Sequence, residues 1–165
     1  MPATWDLLAT ATPSGVAAGS WTNIPQTYTD LVIITSTRDT TAWDIQSFQW
    51  NQSTGPYDQI YWEMPSGVVG TGTAQIGARC NYIPGTDYPN AWDSGLYYLA
   101  NYTNNTTFKT CIGAGGGAFN KTGANLWQTI TFQSTNPVTF IVYGTANGSN
   151  YASGSYLKLY GVKAA

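Results

Sequence analysis

The chain has 165 residues, the size of one ordinary domain, so we expect residues 1–165 to share a single core. Only 8% of the residues are charged and the formal net charge is -2, which predicts a neutral, polar surface. The 6 basic residues are scattered and cannot build the clustered positive surface that binds phosphate backbones, which argues against nucleic acid as a partner. No run of about 18 apolar residues occurs, and the N-terminus lacks the pattern of a secretory signal. The sequence therefore predicts neither membrane insertion nor secretion.

Strand signals dominate the chain. Strong helix formers are scarce, and β-branched and aromatic residues lie between Gly, Pro and Asn breaks. About ten runs of four to eight residues alternate with turn clusters at the interval that is typical of sandwiches and barrels. We therefore expect an all-β fold, an antiparallel β-sandwich that is jelly-roll-like.

The clearest early strand is the apolar run Leu31–Ile34, which leads into Thr35–Arg38 and suits a strand buried on both faces. At the other end of the chain, Leu157 and Leu159 alternate with polar or amphipathic residues, which predicts a half-buried strand. Period-two patterns between these ends predict further strands that close the C-terminal half as a meander. These patterns lie at Thr107–Ile112, at Leu126–Phe132, where Ile130 and Phe132 share a face, and at Val138–Tyr143.

Turn chemistry separates these runs. The glycine-rich segment Gly113–Gly117 lacks the Lys and Ser/Thr of a phosphate-binding loop, so a flexible loop is the favoured interpretation. Asn147-Gly148 has flanks typical of a longer loop rather than a tight hairpin. Other predicted turns are Ser53–Pro56, Ile83–Gly85 and Thr135–Pro137.

Two cysteines, Cys80 and Cys111, are too few for a disulfide framework. Each lies in a strand-like run, and the two strands are potential neighbours, so a bridge remains open. A pair of half-buried thiols formed in a reducing cytoplasm is the favoured alternative.

Few residues offer catalytic chemistry. The absence of histidine removes the commonest general base and the commonest metal ligand. A glycosidase needs only two carboxylates, but each candidate pair lies near turn residues, where Asp commonly hydrogen-bonds to nearby backbone. No dense acidic loop of the kind that holds calcium is visible, and we expect no enzyme activity, cofactor or metal. The candidate pairs are Asp39/Asp44, Asp58/Glu63 and Asp87/Asp93.

The middle of the chain is rich in aromatic residues that suit either of two roles. Exposed Trp or Tyr beside Asn, Asp and Gln can stack on sugar rings, whereas a chain with few Leu and Ile also needs large rings to fill its core or its subunit interfaces. Core or interface packing is favoured, and a glycan platform remains the alternative. The candidate residues are Trp43, Trp50, Tyr57, Tyr61, Trp62, Tyr88 and Trp92.

The run Ile24-Pro-Gln-Thr-Tyr-Thr-Asp-Leu31 closely resembles a segment of small virion proteins of tailed bacteriophages, prominent among phages of cyanobacteria. In that family a first strand similar to Trp5–Thr10 precedes a short second strand and then this link, and Trp21–Ile34 repeats the order. The resemblance implies a sandwich fold without a catalytic site.

Two later segments resemble the same family. Gly95–Thr103 is similar to an alternating strand that ends in a Pro-Asn-Tyr turn, with Ala100 in place of the proline. Gly154–Lys163 is similar to the closing strand with its Leu-Tyr-Gly-Val-Lys signature. Residues Asp39–Asp93 depart from the family and are richer in Trp and Tyr.

The resemblance implies a structural role in the virion, as a capsid-decorating or cement protein or as a small tail-associated piece. The expected partners are identical subunits in a homo-oligomer, with a trimer favoured, and other virion proteins such as the major capsid protein. The alternative is a carbohydrate-binding receptor-recognition module of a phage fibre that binds a host glycan. A depolymerase that uses Asp58 and Glu63 ranks last.

Overall fold

The computed structural model describes residues 5–51, 57–64, 68–74, 78–119 and 122–163. The regular structure of these ranges consists of β-strands, and none of their segments is a helix of the length and apolar character that crosses a membrane. In chain order the strands are Trp5–Ala11 (β1), Ala18–Trp21 (β2), Asp30–Ser36 (β3), Trp43–Trp50 (β4), Tyr57–Met64 (β5), Val68–Ala74 (β6), Ala78–Pro84 (β7), Ser94–Leu99 (β8), Lys109–Phe119 (β9), Thr122–Phe132 (β10), Ile141–Thr145 (β11) and Tyr156–Val162 (β12).

The strands form two antiparallel sheets with jelly-roll connectivity. The large sheet has 8 strands in the order β1-β12-β3-β8-β9-β10-β5-β6, and the small sheet has 4 in the order β2-β11-β4-β7. The first four strands of the large sheet and the 4 strands of the small sheet together have the strand order of a double Greek key. The expected all-β, jelly-roll-like sandwich is confirmed.

Two hairpins are inserted into this frame and extend the large sheet. The hairpin β5–β6 lies between β4 and β7 in the chain, and the hairpin β9–β10 lies between β8 and β11. The two insertions pair with each other, because β10 runs antiparallel to β5 from Asn125↔Met64 to Phe132↔Tyr57. The large sheet is therefore twice as wide as the frame alone requires.

The apolar run of β3 lies in the middle of the frame, between β12 and β8, as its pattern predicted. Leu31 and Ile33 point into the core and are 0% and 2% exposed. Val32 points to the other side and is also fully buried, with Tyr98 and Tyr160 opposite it on the neighbouring strands. The two-sided burial expected of this strand is confirmed.

Aromatic rings fill much of the space between the sheets. The Trp50 and Tyr57 rings lie 5.3 Å apart between centroids, and the Tyr57 ring stacks on Phe132 at 5.1 Å. Across the other part of the core, Phe48 meets Tyr97 edge-on at 5.1 Å. A chain that has few large aliphatic residues thus builds its core from rings, which bury the most area per side chain.

The prediction of a flexible loop at Gly113–Gly117 is wrong, because these residues lie inside β9. Their alternate members face the interior, where a side chain would have no room. A Cβ added at Gly113 would lie 2.6 Å from the Tyr97 ring, and one at Gly115 would lie 2.5 Å from the Cβ of Asn81. At Gly117 the added atom would overlap the carbonyl oxygen of Tyr82. The glycines allow β7 to pack closely on β9.

The predicted C-terminal meander is correct for β9 and β10, which pair as neighbours, and wrong beyond them. The chain crosses to the small sheet, where β11 lies between β2 and β4, and then returns to the large sheet, where β12 lies between β1 and β3. The strand predicted at Val138–Tyr143 begins later, at Ile141, because Val138 and Phe140 bond instead to loop residues. The other strand patterns hold: Leu157 and Leu159 face the core, and Ile130 and Phe132 share its inner side. The predicted turn Ser53–Pro56 lies outside the described residues.

We predict that Gly117→Ala destabilises the fold by about 2 kcal/mol, because the new methyl group must push β7 away from β9. Gly123→Ala in β10 is the matched control: an added Cβ meets nothing within 4 Å there, so the change stays within about 0.5 kcal/mol. Urea unfolding of both variants measures these values. Equal destabilisation by the two substitutions would contradict close packing of β7 on β9.

Candidate functional site

A buried carboxylate, Asp93, ties together strands from both sheets. It is 2% exposed and accepts hydrogen bonds from the Thr37 backbone N–H, from the side-chain amide of Asn81 and, at 3.1 Å, from the Thr35 hydroxyl. Asn81 in turn accepts a hydrogen bond from the Tyr97 hydroxyl. Burial raises the pKa of Asp93 to about 6, although the bond from Thr37 opposes this shift. The network holds β3, β7 and β8 together and presents no face to a substrate.

Asp39 and Asp44 converge on one hydroxyl. Ser149 Oγ contacts Oδ2 of both carboxylates, which are 1% and 0% exposed. Asp39 also accepts from the Thr41 backbone N–H at 2.5 Å, the local turn bond expected of this residue, and Asp44 accepts from the Asn147 N–H at 3.0 Å. The pair fastens the β11–β12 loop to the segment before β4, and its burial leaves no access for a sugar.

The other two carboxylate pairs do not come together. Asp58 and Glu63 lie on opposite faces of β5, since side chains alternate along a strand, and Asp58 accepts a hydrogen bond from the Gln133 amide. Asp87 lies on the loop between β7 and β8, apart from the buried network of Asp93. Within the described ranges, no group of three or more His, Cys, Asp or Glu residues is placed to hold a metal ion.

Cys80 and Cys111 are buried and unbridged, on the facing strands β7 and β9. Burial raises the pKa of the Cys111 thiol to about 12 and that of Cys80 well above its ordinary value. Both side chains are therefore neutral thiols near neutral pH, and they act as small apolar groups of the core.

The aromatic residues singled out in the sequence do not form one surface. Trp50 and Tyr57 are core residues, at 1% and 0% exposure. Trp43 and Tyr61 are half-buried, and Trp43 meets Tyr82 edge-on at 6.0 Å. The three exposed residues are divided between the large sheet, which carries Trp62, and the β7–β8 loop, which carries Tyr88 and Trp92.

An accessible apolar surface lies on the outer side of the large sheet. Five side chains on β5, β8, β9 and β10 form what we call the apolar face. They are Ile60, Trp62, Leu96, Ile112 and Trp127, which are 59%, 45%, 44%, 58% and 60% exposed.

The strand register brings these side chains side by side. Trp127 on β10 stands directly opposite Trp62 on β5, and the next outward residue of β10, Thr129, stands opposite both Ile60 and Ile112. Between these side chains lies an open depression of about 250 Å³. Its lining is almost wholly apolar, so it offers shape and apolar contact rather than hydrogen bonds.

Charge is nearly absent from this surface. Among the described outward positions of β5, β8, β9 and β10, Asp58 is the one charged residue, and Gln133 bonds to it. Sequence reasoning found Trp62 but missed Ile60, Leu96, Ile112 and Trp127. One signal in the sequence could have found them. In an alternating strand every second residue faces outward, and Trp127 and Ile112 are apolar residues at such outward positions, where a solvated face would carry polar ones.

No protein-family model and no curated protein matches the chain. Among solved structures, the crystal structure of galectin LEC-6 from Caenorhabditis elegans is similar, with a TM-score of 0.38 and 8% sequence identity. The similarity covers 94% of this chain and 96% of that chain. A similarity at this level carries no argument about function, so the site rests on its own geometry.

We predict a pH dependence that originates at Asp93. Because its pKa is raised from 3.8 to about 6 in the folded state, its contribution to stability is complete below about pH 4 and is lost as the pH rises through 6. Between pH 3.5 and 7.5 the free energy of unfolding of the wild type should therefore fall by about 3 kcal/mol relative to Asp93→Asn, which does not titrate. Urea unfolding of both proteins across this range measures the difference, and parallel pH profiles would contradict the assignment.

Proposed function

We propose that the chain is a non-enzymatic structural protein of a bacteriophage particle and that it works by burying its outer surfaces against neighbouring subunits. The observation that carries this proposal is the apolar face. Soluble monomers rarely expose a contiguous apolar patch of more than a few hundred Å², and larger patches mark interaction sites. The resemblance of Ile24–Leu31 and Gly154–Lys163 to virion proteins is the reason for placing these neighbouring subunits in a bacteriophage particle.

The arrangement of the polar groups supports an architectural role. The carboxylates of Asp39, Asp44 and Asp93 are sequestered and hold strands and loops in place. The thiols are buried and neutral. In the part of the chain that the structure describes, charged side chains are few, and apolar rings and neutral polar side chains are exposed, which suits association with other proteins.

Within the particle we favour the capsid surface, where the protein decorates or cements the lattice of the major capsid protein. The residues that the structure describes form no long shaft or coiled-coil segment of the kind that a fibre uses to reach outward. A neutral jelly roll with large flat faces is suited to lie against a lattice, where buried area stabilises the assembly without a cofactor.

The test is to locate the chain in purified particles. Antibodies raised against the purified protein should label intact virions, and quantitative mass spectrometry should find hundreds of copies per particle if it decorates the capsid. A few copies per particle would move the protein to the tail. Its absence from particles released by cells that make it would overturn the proposal.

Glycan binding is a second candidate, favoured by the β7–β8 loop. Tyr88 and Trp92 are 43% and 40% exposed there, with the polar residues Asp87 and Asn90 beside them, which supplies the apolar rings and polar rim of a sugar site. This candidate predicts binding on a glycan array that Trp92→Ala abolishes and Trp62→Ala, on the apolar face, preserves. An array without binding, or equal binding by both variants, would remove it.

A further inference from the structure

We propose that the apolar face is the contact between two copies of this chain, which pack their large sheets face to face about a two-fold axis. The inference deepens the proposed function and rests on it, since it names the partner that covers this face. The resulting dimer has four layers of sheet, with the two large sheets inside and the two small sheets outside. Its outer surfaces remain available to other virion proteins.

The area of the face approaches what one side of a stable dimer buries. At the exposures given above, the five side chains present on the order of 500 Å², if a full large side chain offers roughly 200 Å². Exposed polar residues on the same side of the sheet widen the patch towards the roughly 800 Å² per partner of a standard interface. These flanking residues are Thr110, Asn125 and Thr129.

The charge of the face favours a second copy as the partner. A two-fold contact places identical surfaces against each other, so any charge near the axis meets its own sign. The apolar face avoids this penalty, because Asp58, two residues before Ile60 on β5, is the one charged side chain among the described outward positions of its four strands. A basic or acidic partner, by contrast, would find little to pair with.

The shape of the face also suits self-association. Trp127 is 60% exposed and borders the depression of about 250 Å³, which has room for one large side chain. In a two-fold arrangement the Trp127 indole of each copy enters the depression of the other copy. The protruding ring and the depression beside it, both on one surface, are then buried together. Buried Trp residues at the centre of an interface are typical hot spots.

The oligomer that follows from this contact is a two-fold dimer rather than the trimer favoured in the sequence analysis. A ring of three needs two different complementary patches on each subunit, whereas one self-complementary patch closes a pair. The apolar face, with Trp127 beside its own depression, is a patch of this self-complementary kind.

Sedimentation-velocity ultracentrifugation of the purified chain over a range of concentrations tests the inference. We expect a monomer–dimer equilibrium that Trp127→Gln shifts towards monomer, with a dissociation constant raised at least about 30-fold. Ile112→Thr should also raise the dissociation constant. It keeps a β-branched residue in β9, so it tests the apolar face even if Trp127→Gln fails to fold. Trp92→Gln is the matched control, an exposed Trp on the β7–β8 loop, and should leave the dissociation constant unchanged.

A chain that stays monomeric at high concentration would overturn the inference. A trimer, or a dimer that neither Trp127→Gln nor Ile112→Thr weakens, would also overturn it. These outcomes are separate from those of the particle experiment, because a chain found in virions but monomeric in solution keeps its structural role and loses only the self-contact. If the face covers a glycan or the capsid protein instead, the purified chain alone stays monomeric.

Discussion

The close contact of β7 with the inner side of β9 is the constraint on which the rest of the structure depends. A small sheet of 4 strands must cover a large sheet of 8, and its edge strand β7 packs on the extension, against β9 and β10. Trp50 of β4 also reaches the extension, where its ring meets those of Tyr57 and Phe132. The glycines at alternate positions of β9 bring the two backbones together, and Asn81 on β7 links this contact to the buried carboxylate of Asp93. Through that approach, the inserted strands β9 and β10 gain an interior side against β7.

The unequal widths of the two sheets explain where the apolar face lies. A sandwich protects the inner sides of its sheets and leaves the outer sides to water, so outward residues are normally polar. Over the frame strands this holds in part, since tyrosines and Lys158 cover the outer side of β3 and β12. On the inserted strands, Trp127, Trp62 and Ile112 occupy the same outward positions and are left uncovered. The feature that distinguishes the chain is therefore carried by its insertions.

The sequence predicted the fold better than it predicted the site. Leu31–Ile34 and Leu157–Leu159 have strong local patterns, so their strands and burial could be predicted from the residues alone. The prediction of a flexible loop at Gly113–Gly117 failed, because glycine in a strand can mark the close approach of a distant part of the chain. At Gly117 that part is the backbone of Tyr82, and no local pattern records it. The aromatic residues were found as a class, but whether a ring such as Trp50 or Trp62 points inward or outward depends on strand register and on which sheet the strand joins. Trp127 lay outside the aromatic middle and was missed for that reason.

The two insertions have a consequence for how such a protein can diversify. Each hairpin is inserted between two frame strands, β5–β6 between β4 and β7 and β9–β10 between β8 and β11, so its outward residues can vary while the ends that join the frame stay fixed. The hairpins β5–β6 and β9–β10 carry four of the five side chains of the apolar face, and the frame strand β8 carries the fifth, Leu96. Substitutions at the outward positions of those hairpins can therefore change the surface that a partner contacts. Each substituted protein along such a series can still fold, because its frame strands are unchanged.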